Sequence, residues 1–307
     1  MKKICVVGSL NMDLVVTVDR FPEPGETITG REFATYPGGK GGNQAVALGR
    51  LGADVLMVGK LGNDLFGEQY LSNLKENGVV LDGVKVEEGV SSGIAVIEVD
   101  STGENHIVII PGANGKVDRA FIEENWHLME ERDIFLFQLE IPIDTVLYAV
   151  KKLKKAGKII ILDPAPARIL PDDIFLNIDY ITPNETEMET LTGIRIEDVE
   201  DLKQASYWLV KKGVKNVIAK VGKKGAYLAT SDDFVHVPGF TVEAVDTTAA
   251  GDSFNAGFAF ALAQGRGIIE SIQFANAVGA ISTTAKGAQS AMPFLRQVET
   301  FMSRQMR

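Results

Sequence analysis

The chain is poor in the residues and patterns on which several large functional classes depend. A single cysteine, Cys5, sits in an apolar run; it excludes an internal disulfide and points to core packing in a reducing compartment. The three histidines, His106, His127 and His236, are scattered without metal-ligand spacing, and His127, between Trp126 and Leu128, reads as a packed helical residue. Positive charge is in deficit, with 31 Lys and Arg against 41 Asp and Glu and a net charge of -10. That argues against general affinity for nucleic acid or anionic membrane. No run reaches the roughly 18 uncharged apolar residues of a membrane span, and the apolar part of Lys2–Gly8 is too short for a signal peptide, so a cytoplasmic protein is expected. Neither G-x-x-x-x-G-K-[ST] nor G-x-G-x-x-G occurs, which removes the main support for P-loop and dinucleotide-binding readings. Protein-kinase signatures are missing too. Gly89-Val90-Ser91-Ser92-Gly93 matches a hydrolase elbow, but Ile94–Val99 reads as a strand where the elbow requires a helix.

What is present is an α/β rhythm. Hydrophobic residues make up 45% of 307, enough for a substantial core in one large domain. Short apolar runs at Ile4–Val7, Val55–Val58, Ile134–Phe137, Ile159–Leu162, Tyr180–Ile181 and Val217–Val221 alternate with helical patterns. Alternation of this kind predicts a three-layer α/β/α arrangement around a mostly parallel sheet. Ile143, Val146, Leu147 and Val150 mark one buried helical face, and Lys151, Lys152, Lys154 and Lys155 form its solvated last turn. Val7-Gly8-Ser9-Leu10 and Val58-Gly59-Lys60-Leu61 echo each other as strand exits. Two segments, 14–36 and 92–110, break the rhythm; the second alternates around a Ser101-Thr102-Gly103 turn. Both suit a small separate β-sheet with one face in water, read as a lid over a pocket.

Asp246-Thr247-Thr248-Ala249-Ala250-Gly251-Asp252-Ser253-Phe254 carries the most chemistry. Ala249, Ala250 and Gly251 let a phosphate approach their N–H groups at the positive end of the following helix. Asp252 would be repelled by that phosphate as a ligand, so its expected work is to accept a proton from a substrate hydroxyl. Pro37-Gly38-Gly39-Lys40-Gly41-Gly42-Asn43-Gln44 is a second glycine cluster before a helical pattern, Ala45–Leu51. Asn11 and Asp13 follow the first strand and Glu140 follows Ile134–Phe137. These are the carboxyl ends where open α/β sheets bind ligands, and they offer the partners that sugar hydroxyls need. Asn184 and Glu187 form a capping box or a site after Ile181-Thr182-Pro183. Lys220-Val221-Gly222-Lys223-Lys224-Gly225 reads as a hairpin or a nucleotide contact. Asn276, in the apolar pattern Ile272–Ile281, needs a partner that a purine would supply.

With these motifs in this order from Met1 to the final helix, the chain resembles the ribokinase-like (PfkB-type) carbohydrate kinases. Its most specific matches are Asp246–Asp252 and Gly38–Asn43. The resemblance implies an α/β/α domain with a small β lid, and a homodimer in which two lids clasp. It also implies ATP-dependent phosphorylation of the 5-hydroxyl of ribose, or of 2-deoxyribose, fructose or a nucleoside; a non-catalytic sugar or nucleotide sensor is the alternative of a different class. In that likeness Asp252 is the general base, and Ala249, Ala250 and Gly251 form the anion hole. Asn11, Asp13, Gly39, Lys40, Asn43 and Glu140 hold the sugar. Asn184, Lys220, Gly222, Gly225, Gly251 and Asn276 line the ATP site, with Glu187 near Mg2+ and the phosphates. Asp246, Thr248, Ser282, Ala285 and Gly287 surround a monovalent cation, K+. The chain departs from the pattern at Ala291, where a serine is familiar, so one side-chain oxygen is missing; water or Ser290 substitutes for it, or the cation binds more weakly.

Overall fold

The computed structural model describes residues 1–305. The strands in chain order are β1 (Ile4–Val7), β2 (Asn11–Thr17), β3 (Glu32–Gly38), β4 (Val55–Gly62), β5 (Val80–Glu87), β6 (Gly93–Val99), β7 (Asn105–Ile110), β8 (Ile134–Phe137), β9 (Ile159–Leu162), β10 (Tyr180–Ile181), β11 (Asn216–Lys220), β12 (Gly225–Ala229) and β13 (Phe234–Pro238). The helices are α1 (Lys40–Arg50), α2 (Leu65–Glu76), α3 (Arg119–Glu124), α4 (Trp126–Met129), α5 (Ile143–Lys155), α6 (Glu185–Thr192), α7 (Val199–Lys211), α8 (Ala250–Ala263), α9 (Ile268–Ser282) and α10 (Leu295–Gln305). Nine strands form one sheet in the order β13-β12-β11-β10-β9-β8-β1-β4-β5. It is parallel from β11 to β5, with β12 and β13 added antiparallel at one edge.

Continuous apolar strands are required here because helices cover both faces. In β1, Ile4 and Val6 enter the core shared with α1, α8 and α9, while Cys5 and Val7 enter the core shared with α5 and α7. Burial raises the Cys5 thiol far above its usual range, leaving it protonated and inert. Helices α8 and α9 cross closely at Gly257, where a Cβ would lie 2.9 Å from Val278 Cγ2. That crossing seats α8, with Asp252 in its first turn, against the sheet.

The two interruptions of the α/β rhythm belong to a separate four-stranded sheet in the order β3-β2-β6-β7. Strand β2 opens four residues after β1 ends, so this sheet rises beside the carboxyl end of the main one. All six residues of β7 are exposed.

Several expectations need correction. Helix α1 begins at Lys40, ahead of Ala45, so Gly41 and Gly42 lie in its first turn and not in a loop. Val58–Leu61 remains inside β4 and is no strand exit. Strand β11 ends at Lys220, one residue before Val221. His127 lies on α4 but is exposed, because the buried side of that short helix is Met129. The lysines closing α5 lie at the surface to different depths: Lys151 and Lys152 pair with Asp173 and Glu123, whereas the half-buried Lys154 reaches buried Asp179. Gly93 opens β6, which disposes of the hydrolase elbow.

Candidate active site

Helix α8 starts without a side-chain cap: its N-cap, Ala249, stands in the left-handed region at φ 57. A non-glycine residue there carries a local cost, and the turn it makes aims the first-turn N–H groups outward. The Ala250 N–H bonds Thr247 O at 3.2 Å, whereas those of Ala249, Gly251 and Asp252 have no acceptor among the described residues. Of the three amides of Ala249–Gly251, that of Ala250 is used by the turn, and the Asp252 N–H is a further donor without an acceptor. The Asp252 side chain is 5% exposed. Its Oδ2 accepts from Asn43 Nδ2 at 2.9 Å and its Oδ1 from Gln44 Nε2 at 3.1 Å. Burial, opposed by the Lys40 charge and assisted by Asp163, pushes its pKa up to about 6. A carboxylate poised near neutrality and held by donors on both oxygens is equipped to take a proton.

Helix α1 brings the second uncapped N-terminus to the same place. Gly39, its N-cap at φ 80, packs so closely that a Cβ would lie 2.7 Å from Asn11 N. The Lys40 N–H donates to Glu140 Oε2 at 2.9 Å, and Ser9 Oγ donates to the same oxygen. Burial would depress the Lys40 ammonium, but Asp252, Asp163, Glu140 and Glu187 outweigh it and hold it above its ordinary value. Asn11 accepts from buried Asn114 Nδ2 at 2.6 Å. Asp13 lies against Gly38, and burial, Glu140 and Asp252 raise its pKa to about 7. Asn11, Asp13, Gly39, Lys40, Asn43, Glu140 and Asp252 thus converge on one polar corner between the two sheets.

On the other side of Asp252 lie two adjoining cavities. One, about 440 Å3, is lined by Lys40, Asn184, Glu187, Lys220, Gly222 and Asp252, among others. The second, about 360 Å3, is walled by apolar groups such as Phe240, Val242 and Ala244, together with Gly225 and Asn276. They share Lys220, Gly222, Thr247, Ala250 and Gly251. A polar chamber opening into an apolar one suits a phosphate chain followed by a flat base. Asn184 does cap α6, with Glu187 completing the box. Burial, opposed by Lys220 and reinforced by Asp163, raises the Glu187 pKa. Lys220 bonds Asp163 at 3.0 Å and lies 3.9 Å from Glu187. The segment after Lys220 is the tight link between antiparallel β11 and β12 that the hairpin reading expects, and it also lines a cavity wall. Asn276 corrects its expectation in part, since Nδ2 already donates to Val237 O and Pro238 O; no purine is needed to satisfy it.

The residues expected around a monovalent cation come together only loosely. Asp246 Oδ1 accepts from Thr248 N and Oγ1, and its Oδ2 from Gly287 N at 2.8 Å. The N–H groups of Val245 and Asp246 both reach Thr283 O, so the loops 245–248 and 283–287 are tied together beside the anion hole. Ser282 Oγ is turned to Gly279 O, Ala285 is exposed, and Ser290 Oγ is taken by Lys286 O. Among the described residues no group of three or more His, Cys, Asp or Glu could hold a metal, so a divalent ion would need phosphate oxygens and water to complete its shell.

Five polar residues of the site escaped the sequence reading. Asp163 directly follows β9, the same strand-end signal that marked Glu140, and the same logic finds it. Gln44, Asn114, Gln138 and Gln289 are neutral amides with no diagnostic spacing.

Residues 1–295 match the pfkB family carbohydrate kinase model, and the chain belongs to that family. It is 42% identical over 304 residues to the ribokinase of Bacillus subtilis, covering 99% of this chain and 100% of the relative. To the deoxyribokinase of Salmonella typhi it is 38% identical over 301 residues, covering 98% of each. The ribokinase of Arabidopsis thaliana, solved with ribose and ATP, superposes with a TM-score of 0.94 at 35% identity, covering 98% of each chain.

Proposed function

We propose that the chain transfers the γ-phosphoryl group of ATP to the 5-hydroxyl of D-ribose, releasing D-ribose 5-phosphate, ADP and a proton. The observation that carries this reading is the Asp252 carboxylate, buried, raised to about 6 and set beside the unpaired N–H groups of Gly251 and Ala249. The sugar occupies the corner of Asn11, Asp13, Gly39, Lys40, Asn43 and Glu140, where each hydroxyl finds a donor or acceptor. The hydroxyl gives its proton to Asp252 as its oxygen attacks the γ-phosphorus. Lys40, Lys220 and the free amides carry the charge that spreads over the transferring group. The adenine lies in the apolar cavity of Phe240 and Asn276, past Gly222 and Gly225, with Asn184 at its entrance.

Mg2+ bound to the phosphates would neutralise charge near Glu187. K+ between the loops of Asp246, Thr248 and Gly287 would support the anion hole from behind. The four-stranded sheet serves as a lid, and the exposed apolar side chains Phe33, Tyr36, Ile107, Val108, Ile109 and Ile110 offer a face on which two lids pair in a homodimer. No helix among the described residues is long and apolar enough to cross a membrane, and a kinase drawing on ATP belongs in the cytoplasm.

The test is steady-state ADP release with ribose, with and without potassium. Ribose-dependent turnover, raised by potassium, is the expected result; ADP release indifferent to ribose would overturn the reading. The similarity to a deoxyribokinase favours one second reading, 2-deoxyribose as the preferred acceptor. A panel of ribose, 2-deoxyribose, fructose and nucleosides at one ATP concentration separates the two by kcat/KM.

A further inference from the structure

Asp252 is held by two amides, and each amide is itself held by a glutamine from elsewhere in the chain. On one side, Asn43 Nδ2 donates to Asp252 Oδ2 while Asn43 Oδ1 accepts from Gln289 Nε2 at 3.0 Å. On the other, Gln44 Nε2 donates to Asp252 Oδ1 and to Asp163 Oδ2, both at 3.1 Å, while Gln44 Oε1 accepts from Gln138 Nε2 at 2.6 Å. All four amide side chains are buried.

The arrangement has a directional logic. An amide presents a donor from one end and an acceptor from the other, and an amide oxygen turned toward a carboxylate would repel it. Asn43 and Gln44 benefit Asp252 only in one of their two orientations. What selects that orientation is a donor placed at the far oxygen, and Gln289 and Gln138 each place one there.

Gln289 is in turn held by further hydrogen bonds, whereas Gln138 Oε1 is buried without a hydrogen-bond partner among the described residues and is confined by packing alone. Gln289 Nε2 also donates to Tyr70 OH at 2.9 Å, and its Oε1 accepts from Asn73 Nδ2 at 2.6 Å. Tyr70 OH donates to Gly38 O. Gln138 lies against Gly8, where any Cβ would collide with its Oε1. We infer that Gln138 and Gln289 are positioning residues for the phosphoryl transfer: they orient Gln44 and Asn43 so that the Asp252 carboxylate meets N–H groups on both oxygens. Neither touches the reacting atoms. The inference rests on the kinase reading above, in which Asp252 is the base.

Its signature lies in the ionisation of Asp252, because a donor to the carboxylate favours the charged form. The other charged groups facing this carboxylate are Lys40 on α1, Asp163 after β9, Lys220 on β11, Glu187 on α6, Asp13 on β2 and Glu140 after β8. All of them stay in place when an outer glutamine is replaced by methionine of similar volume. The base works ionised, so a raised pKa moves the acid limb of kcat to higher pH.

The experiment compares wild type, Gln138→Met and Gln289→Met in sugar-dependent ADP release across pH 5 to 9, with thermal melting beside it. The expected result for each variant is a fall in kcat of about fivefold to tenfold, the effect of one disordered hydrogen bond. The sugar KM should stay within about twofold, and the acid limb should move upward by roughly half a unit or more. A variant that melts lower but keeps the wild-type acid limb and sugar KM shows a purely structural glutamine and overturns the inference for that side. If Gln138→Met does not fold, Gln289→Met carries the same test from the opposite oxygen. Wild type without sugar-dependent turnover would instead sink the kinase reading, a result that cannot be confused with an unmoved acid limb in an active enzyme.

Discussion

Helices α7 and α8 begin in opposite ways. At the start of α7, Asp198 accepts from the N–H groups of Glu200 and Asp201, and the Asp201 side chain returns the bond to the Asp198 N–H. Helix α6 closes its end similarly with Asn184 and Glu187, and α2 with Asp64. Helices α8 and α1 have no side-chain cap; both enter through a left-handed residue, Ala249 or Gly39, and both point at the same carboxylate. The orphan donors of a helix start cost stability unless something accepts from them. At α1 the chain supplies the acceptors itself, Glu140 Oε2 for the Lys40 N–H and Ser9 Oγ and O for those of Gly41 and Gly42; at α8 the N–H groups of Gly251 and Asp252 stay without an acceptor among the described residues and are open to an anion.

Three substitutions break or sharpen that contrast. The largest effect is expected at the base itself. Asp252→Ala should lower kcat by about 10^2 to 10^4 in ADP-release assays while the circular dichroism spectrum is unchanged. In the wild type, the carboxylate raised to about 6 must be ionised to act, so kcat should fall as the pH drops through that value. A variant with near-normal turnover would remove Asp252 from its role. Next, Ala249→Asp places a carboxylate at the entry to α8. An aspartate accepts the left-handed conformation better than most residues; its charge beside the free donors would repel the phosphate, lowering kcat/KM for ATP by about 10^2. An unchanged value for ATP would show that these amides do not meet the nucleotide. The smallest effect belongs to Asp198→Ala, which strips the cap from α7. It should cost about 1 kcal/mol in denaturant unfolding and leave kcat untouched, since no residue at the start of α7 lines either cavity; lost turnover would contradict the division of labour between the two kinds of helix start.

The two sheets differ in how far they could be read in advance. The apolar runs of the main sheet survive nearly as expected because strands covered on both faces have little choice but to be apolar. The second sheet was legible from its interleaved polar residues, and β2, β3, β6 and β7 indeed stand apart. Errors fell where local signals compete. The glycines of Gly38–Gly42 read as a loop, yet Gly41 and Gly42 are helical. A Cβ on Gly41 would strike Ser9 N at 2.6 Å, so glycine serves close packing of a helix there and not freedom of the backbone. Asn276 invited a ligand because its partners, Val237 O and Pro238 O, come from strand β13 nearly 40 residues away. His127 was assigned to a core by its apolar neighbours, although a four-residue helix has room for few buried side chains.

Residue order alone determined the class of architecture and singled out Asp252 with the small residues before it, because each is a local property of backbone freedom and side-chain chemistry. Only the tertiary structure decided which amides of Ala249–Asp252 stay free and which glutamines hold Asn43 and Gln44. Those facts depend on contacts such as Gln44 with Asp252 and Gln289 with Asn43, more than 200 residues apart along the chain. A hydrogen bond at that separation has no signature in the spacing of its partners; it exists because two helix starts, two strand ends and one short turn arrive at the same few ångströms.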